Sequence, residues 1–184
     1  MHAADTTTTS RRAALPSWAY WALAVVRVGV GLYWLWEQHW KLPPSFGRDQ
    51  PRGLLYALRQ AAEHPTFGFI GTIVRKVAIP HFTLFGWLLF LLEVAIGISL
   101  VFGLLKRAGA VLGTLHAGDL LLAMAGTPEG PAIYLAILAA NAFVLLTPSD
   151  RRLSLDRRVL APRLRPAAER GNRLARLLLQ LMGR

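Results

Sequence analysis

The stretch 82-FTLFGWLLFLLEVAIGISLVFGLL-105 holds 24 residues and one charge, Glu93. Crossing about 30 Å of hydrocarbon takes roughly 20 mostly apolar residues in an α-helix, so this run reads as a transmembrane helix. Three further segments approach the same standard. Residues 18–40 carry Arg27 near their centre, 108–125 carry His116 and Asp119, and 131–147 carry Asn141. The last two are weaker taken singly. They gain support from the short polar connections Lys106-Arg107 and Thr127-Pro128-Glu129-Gly130, as expected between antiparallel neighbours in a bundle. The expected fold is therefore all-α: an integral membrane four-helix bundle over residues 16–147, with an extended outer loop at 42–80. Composition agrees, because 54% hydrophobic residues exceeds the usual share of a soluble domain.

The chain has no cysteine, which excludes disulfides, thiol redox chemistry and cysteine metal ligands. A net charge of +11 would suit nucleic acid, but in a membrane protein basic residues report topology first, and no nucleic acid partner is expected. Arg11-Arg12 precede the first helix, Lys106-Arg107 fill the second connection, and ten arginines follow Ser149. Cytoplasmic loops are enriched in such residues, so both termini are expected in the cytoplasm, in a multi-pass protein of the plasma membrane. Lys41, Arg48, Arg52, Arg59, Arg75 and Lys76 run against the rule, yet four crossings force their loop to the opposite side.

Residues 1–15, with threonines at 6–9, read as a disordered cytoplasmic tail with almost nothing to bury. Arg11-Arg12 before an apolar stretch loosely resembles a twin-arginine signal. No convincing small-x-small cleavage site follows and the apolar stretch is long, so the first helix is expected to remain as an anchor. In the loop, Pro51 suits a helix start, and Leu54, Leu55, Leu58 and Ala62 recur at near-helical spacing. A second short helix is expected after Pro65, the two forming a partial lid. The tail 148–184 is basic, and Leu174, Leu177, Leu178 and Leu181 mark an amphipathic helix. Its arginines suit anionic headgroups of membrane lipids or a partner subunit, and both readings stay open.

Each expected helix carries a strongly polar side chain at membrane depth: Arg27, Glu93, His116 with Asp119, and Asn141. A charge there costs at least ~2.5 kcal/mol on insertion scales, so these groups are expected to face inward and pair. His116 and Asp119, three apart, share a helical face on which Asp119 would orient the imidazole in a proton relay. Arg27 is expected opposite Glu93 or Asp119. Such a cluster suits a quinone carbonyl or proton transfer, and equally an internal salt bridge that fixes packing. A metal site of Glu93, His116 and Asp119 is not expected, because the Glu-x-x-His motifs of di-iron bundles are missing. Glu37, His39 and Lys41 are candidate headgroup contacts beside Trp34, Trp36 and Trp40, which read as an interfacial aromatic belt. Gly29, Gly31, Gly97, Gly103, Gly109 and Gly113 are expected to allow close helix approach. No phosphate loop, dinucleotide fingerprint, nucleophile elbow or haem-attachment motif occurs, so neither self-contained catalysis nor a covalently bound cofactor is expected.

Two stretches resemble the DoxX/DoxD family of small four-helix membrane proteins, whose DoxD branch is the small subunit of thiosulfate:quinone oxidoreductase. One runs from Arg27-Val28-Gly29-Val30-Gly31-Leu32 to Lys41-Leu42. The other is Glu93-Val94-Ala95-Ile96-Gly97-Ile98-Ser99-Leu100-Val101-Phe102-Gly103-Leu104 with Lys106-Arg107. Glu37-Gln38-His39 departs from the small residues usual before the terminal lysine, and the loop and tail are longer than in a minimal member. The resemblance implies a membrane subunit linked to quinone oxidoreduction in a respiratory or sulfur-oxidising complex, with redox centres held by partner chains. A structural or assembly protein is the alternative, and a small transporter a more distant one.

Overall fold

The computed structural model describes residues 15–182, so the expected tail at 1–15 lies, apart from Leu15, outside the described residues. Helix α1 (Ser17–Trp36) runs on into a 3-10 turn, Glu37–Trp40. The loop folds as α2 (Leu54–Glu63) and α3 (Gly68–Ile73), the latter continuing as a π turn, Val74–Ala78. Then come α4 (Phe82–Phe102), α5 (Lys106–Met124) and α6 (Ala132–Leu146). The tail adds a 3-10 turn at Ser149–Arg151, a π turn at Asp156–Leu160, and α7 (Ala161–Glu169) and α8 (Arg173–Leu181). Among the described residues there is no strand.

Two helices, α1 with its 3-10 extension and α4, are long and apolar enough to cross a membrane. Helix α6 is apolar but only 15 residues long, and α5 carries Lys106, Arg107, His116 and Asp119 within its 19 residues. The four helices α1, α4, α5 and α6 close a ring of contacts, α1 on α4, α4 on α5, α5 on α6 and α6 back on α1. The ring buries an apolar core of Trp34, Ile96, Leu100, Ala117 and Val144, and two further features stand out. Val25, Leu32, Leu84, Leu88, Leu115 and Leu146 are exposed, whereas Arg27, Glu93, His116 and Asn141 are buried.

Small residues set the spacing of the ring. A Cβ on Gly31 would lie 2.7 Å from the Val101 nitrogen and 2.9 Å from the Gly97 oxygen, so α1 and α4 cross backbone against backbone here. A Cβ on Gly113 would collide with Asn141 Oδ1, so the missing side chain brings α5 onto α6. Two glycines depart from the expected role. A Cβ on Gly29 would meet nothing within 4 Å, so this residue faces open space rather than a neighbouring helix. Gly103 adopts φ 61° and ends α4 at Phe102, three residues before the expected boundary, because the left-handed turn stops the helix and lets Leu104 N–H reach Ser99 O.

The loop forms its own core, in which Phe46, Leu54, Leu58, Ala61, Val74 and Phe82 pack with Met124 of α5. Phe46 fits against Gly86, where a Cβ would come within 2.6 Å of its ring. Thr66 Oγ1 accepts the Gly126 N–H at 3.0 Å, tying the loop to the end of α5. Helices α2 and α3 thus sit over one end of the ring. At the other end the tail is clasped. Asp156 accepts the N–H groups of Leu105 and Lys106 at 2.9 and 3.1 Å, capping α5, and Ser154 Oγ donates to Gly103 O at 3.0 Å. The tail holds two helices rather than one, because Gly171 turns the chain at φ 91° and Asn172 caps α8. Leu174, Leu177 and Leu181 of α8 are exposed.

Candidate functional site

Helix α1 and its extension bury Ala24, Arg27, Gly31, Trp34, Gln38 and Lys41, alternating steps of three and four that mark one helical face. Near the loop end this face meets Glu93 of α4 and His116 of α5. Lys41 Nζ lies 2.8 Å from Glu93 Oε1 and 2.7 Å from Oε2. Gln38 Nε2 donates to Glu93 Oε2 and also to the Trp34 carbonyl. His116 Nε2 lies 3.0 Å from Glu93 Oε1, and its Nδ1 lies 2.9 Å from Asp119 Oδ1. Lysine, carboxylate, imidazole and carboxylate therefore form one continuous chain. Glu93 and His116 are nearly inaccessible, at 1% and 2% of their side chains, whereas Asp119 is 67% accessible. A proton held at either ring nitrogen has a carboxylate waiting, and Asp119 connects the interior with the outside.

Trp34 fixes the imidazole. Its ring stacks on His116 with centroids 5.3 Å apart and planes 25° apart, and its indole N–H donates to Asn141 Oδ1 at 3.2 Å. Asn141 in turn donates to the Ile137 carbonyl at 2.8 Å. Trp34 is fully buried and leaves the expected aromatic belt, while Trp36 stays exposed. The difference is rotational, since residues two apart on a helix point about 200° from each other.

The chain of charges lines a mostly apolar cavity of about 410 Å³. Its apolar wall comes from Leu54, Leu58, Phe69, Ile70 and Ile73 of the loop and from Phe85, Leu89 and Ile137 of the ring helices. Tyr33, Glu37 and Tyr134 add polar groups beside Lys41, Glu93, His116 and Asp119.

Of the candidate residues, Glu93, His116 and Asp119 meet directly and Asn141 joins them through Trp34. Arg27 does not. It lies nine residues before the end of α1, about 13 Å along the axis at 1.5 Å per residue, and Lys41 follows only after the 3-10 turn. Instead of pairing with Glu93 or Asp119, it donates to the Leu153 carbonyl and lies within electrostatic reach of Asp150 and Asp156. Lys41, expected at headgroup depth, is 5% exposed and inside the network. Glu37 faces the cavity and accepts from the Trp40 indole at 3.3 Å, while His39 is set against the Trp36 carbonyl at the surface. Among the described residues no group of three His, Asp or Glu side chains is arranged to hold a metal ion.

Gln38, Tyr33 and Tyr134 belong to the site although the sequence offers none of them as a site residue, and Trp34 belongs to it although the sequence places it in an aromatic belt. The three-four spacing from Arg27 through Gly31 and Trp34 to Gln38 and Lys41 is the signal that could have found Gln38 and Trp34. Scans of this chain against protein-family models, curated proteins and solved structures find no match.

Proposed function

We propose that this chain is a DoxX/DoxD-like integral membrane subunit of a quinone-linked respiratory or sulfur-oxidising oxidoreductase complex, and that its cavity receives the quinone headgroup. The observation that carries the reading is the mostly apolar cavity lined by the Lys41–Glu93–His116–Asp119 chain. A quinone is an apolar molecule with two oxygens at its ring, and pockets for such ligands are mostly apolar with a few convergent polar groups. Its reduction takes two electrons and two protons. Redox centres on partner chains would supply the electrons. His116, between Glu93 and the accessible Asp119, is placed to relay the protons.

Membrane insertion by all four helices of the ring is supported by their exposed apolar faces and buried charges, since lipid accepts the former and excludes the latter. Both termini would then lie on the cytoplasmic side of the plasma membrane, with the arginine-rich tail toward lipid headgroups or a partner subunit. Purification of the native protein in mild detergent, with identification of companions and extraction of bound quinone, tests the reading. Copurifying redox subunits and quinone that is lost in Glu93→Gln, with helicity retained, are the expected result. A solitary, quinone-free protein would sink it and leave a structural or assembly role.

A further inference from the structure

The polar atoms around the cavity divide by what already occupies them. Lys41 Nζ lies against both oxygens of Glu93, at 2.8 and 2.7 Å, and both ring nitrogens of His116 face carboxylates. The Trp34 indole N–H is taken by Asn141. The Lys41 ammonium also lies 4.5 Å from the centroid of the Trp40 ring, so the strong donors of the site face groups of the protein itself. The carboxylates of Asp119 and Glu37 are not saturated. Among the described residues each is in contact with one hydrogen-bond neighbour, His116 and Trp40 respectively, and a carboxylate accepts about four hydrogen bonds. Both line the cavity, and Asp119 is 67% accessible. The hydroxyls of Tyr33 and Tyr134 complete the polar wall and can donate or accept.

Among the described residues, a ligand entering this cavity meets charged acceptors and the neutral donors of two tyrosines, with Lys41 held by Glu93. We infer that the cavity selects the reduced, dihydroxy-aromatic form of its ligand, a quinol, whose hydroxyls donate to the carboxylates of Asp119 and Glu37. This rests on the quinone-linked reading above and names the redox form the site prefers. A quinone carbonyl can only accept, so it finds the two tyrosines and faces two anionic oxygens. A quinol hydroxyl bonded to a carboxylate makes a charge-assisted bond roughly twice as strong as a neutral one.

Duroquinol and duroquinone share one ring and differ only in redox state, so they isolate the hydroxyl protons. Anaerobic titration of the full chain in detergent is expected to show duroquinol binding tighter by roughly tenfold or more, as charge-assisted bonding dictates. Asp119→Asn and Glu37→Gln are each expected to reduce that ratio, and the double variant to bring it near unity, with thermal unfolding unchanged. Equal binding, or tighter duroquinone, would overturn the inference and leave the quinone-linked reading standing. A ratio that survives in the double variant would remove these carboxylates from the assignment. Binding of neither ring would sink both readings. Tighter binding of tetraphenylphosphonium than of duroquinol would overturn the inference in favour of a cation cavity, which the same surplus of acceptors would also attract.

Discussion

The two ends of the α1 buried face hold a cation each, and their surroundings differ. Lys41 meets Glu93, and through it His116 and Asp119, so side chains from α1's extension, α4 and α5 share charge beside a 410 Å³ cavity. Arg27 meets a backbone carbonyl, Leu153 O, and its Nε and Nη1 atoms have no hydrogen-bond partner among the described residues. The backbone of Gly103 lies so close that a Cβ there would collide with Arg27 Nη1. One end couples titratable side chains to an open volume, the other grips the returning tail. Burial of charge alone therefore does not mark a functional site. The candidate site at Lys41 adds a network that lines a cavity and ends in an accessible titratable group.

This contrast can be broken by substitution. Glu93→Ala leaves Lys41 and His116 as buried groups without their shared partner, and removing one member of a buried pair costs about 3–5 kcal/mol. The midpoint of thermal unfolding in detergent should fall further than for any other single change, with loss of quinone binding. A midpoint close to native would mean that the network is dispensable for the fold. Arg27→Met should cost about 1–3 kcal/mol, the range for stranding a buried hydrogen-bond partner. Trypsin should then cut at Arg151 and Arg152, while quinone binding persists. Loss of binding in this variant would show that the two ends are coupled.

Asp156→Ala removes the acceptor for two N–H groups at the start of α5, worth about 1 kcal/mol for a helix cap. Hydrogen exchange at Leu105 and Lys106 should accelerate with little change around His116. Asp119→Asn, at an accessible position, should shift stability by no more than about 0.5 kcal/mol and yet alter ligand selection. A large loss of stability there would place Asp119 among the groups that hold the fold.

Much of the helical layout is legible in the sequence because it depends on local signals. The run containing Glu93 and the stretch containing Arg27 are each apolar over about the length of a bilayer crossing, and the loop helix at Leu54–Glu63 follows the spacing of Leu54, Leu58 and Ala62. Gly103 reads along the chain as a packing residue within a helix and is instead its cap, since a helical interior and a left-handed cap can carry the same glycine, and only φ distinguishes them. The pairing of His116 with Asp119 is legible from a three-residue step on one helix. The partner of Glu93 is not. Arg27 and Lys41 lie on the same buried face, and which of them meets α4 at Glu93 depends on how two helices slide past each other.

By itself, the sequence determined where α1 to α6 lie to within a few residues, that Glu93 and His116 sit on inward faces, and that cysteine chemistry is excluded. Only the tertiary structure decided that Lys41 rather than Arg27 neutralises Glu93, that Trp34 turns inward onto His116, and that the loop covers a cavity. The physical reason is that periodicity is written along one chain, whereas axial register between helices follows from close packing at a few small residues. Here Gly31 against Gly97 sets how α1 meets α4.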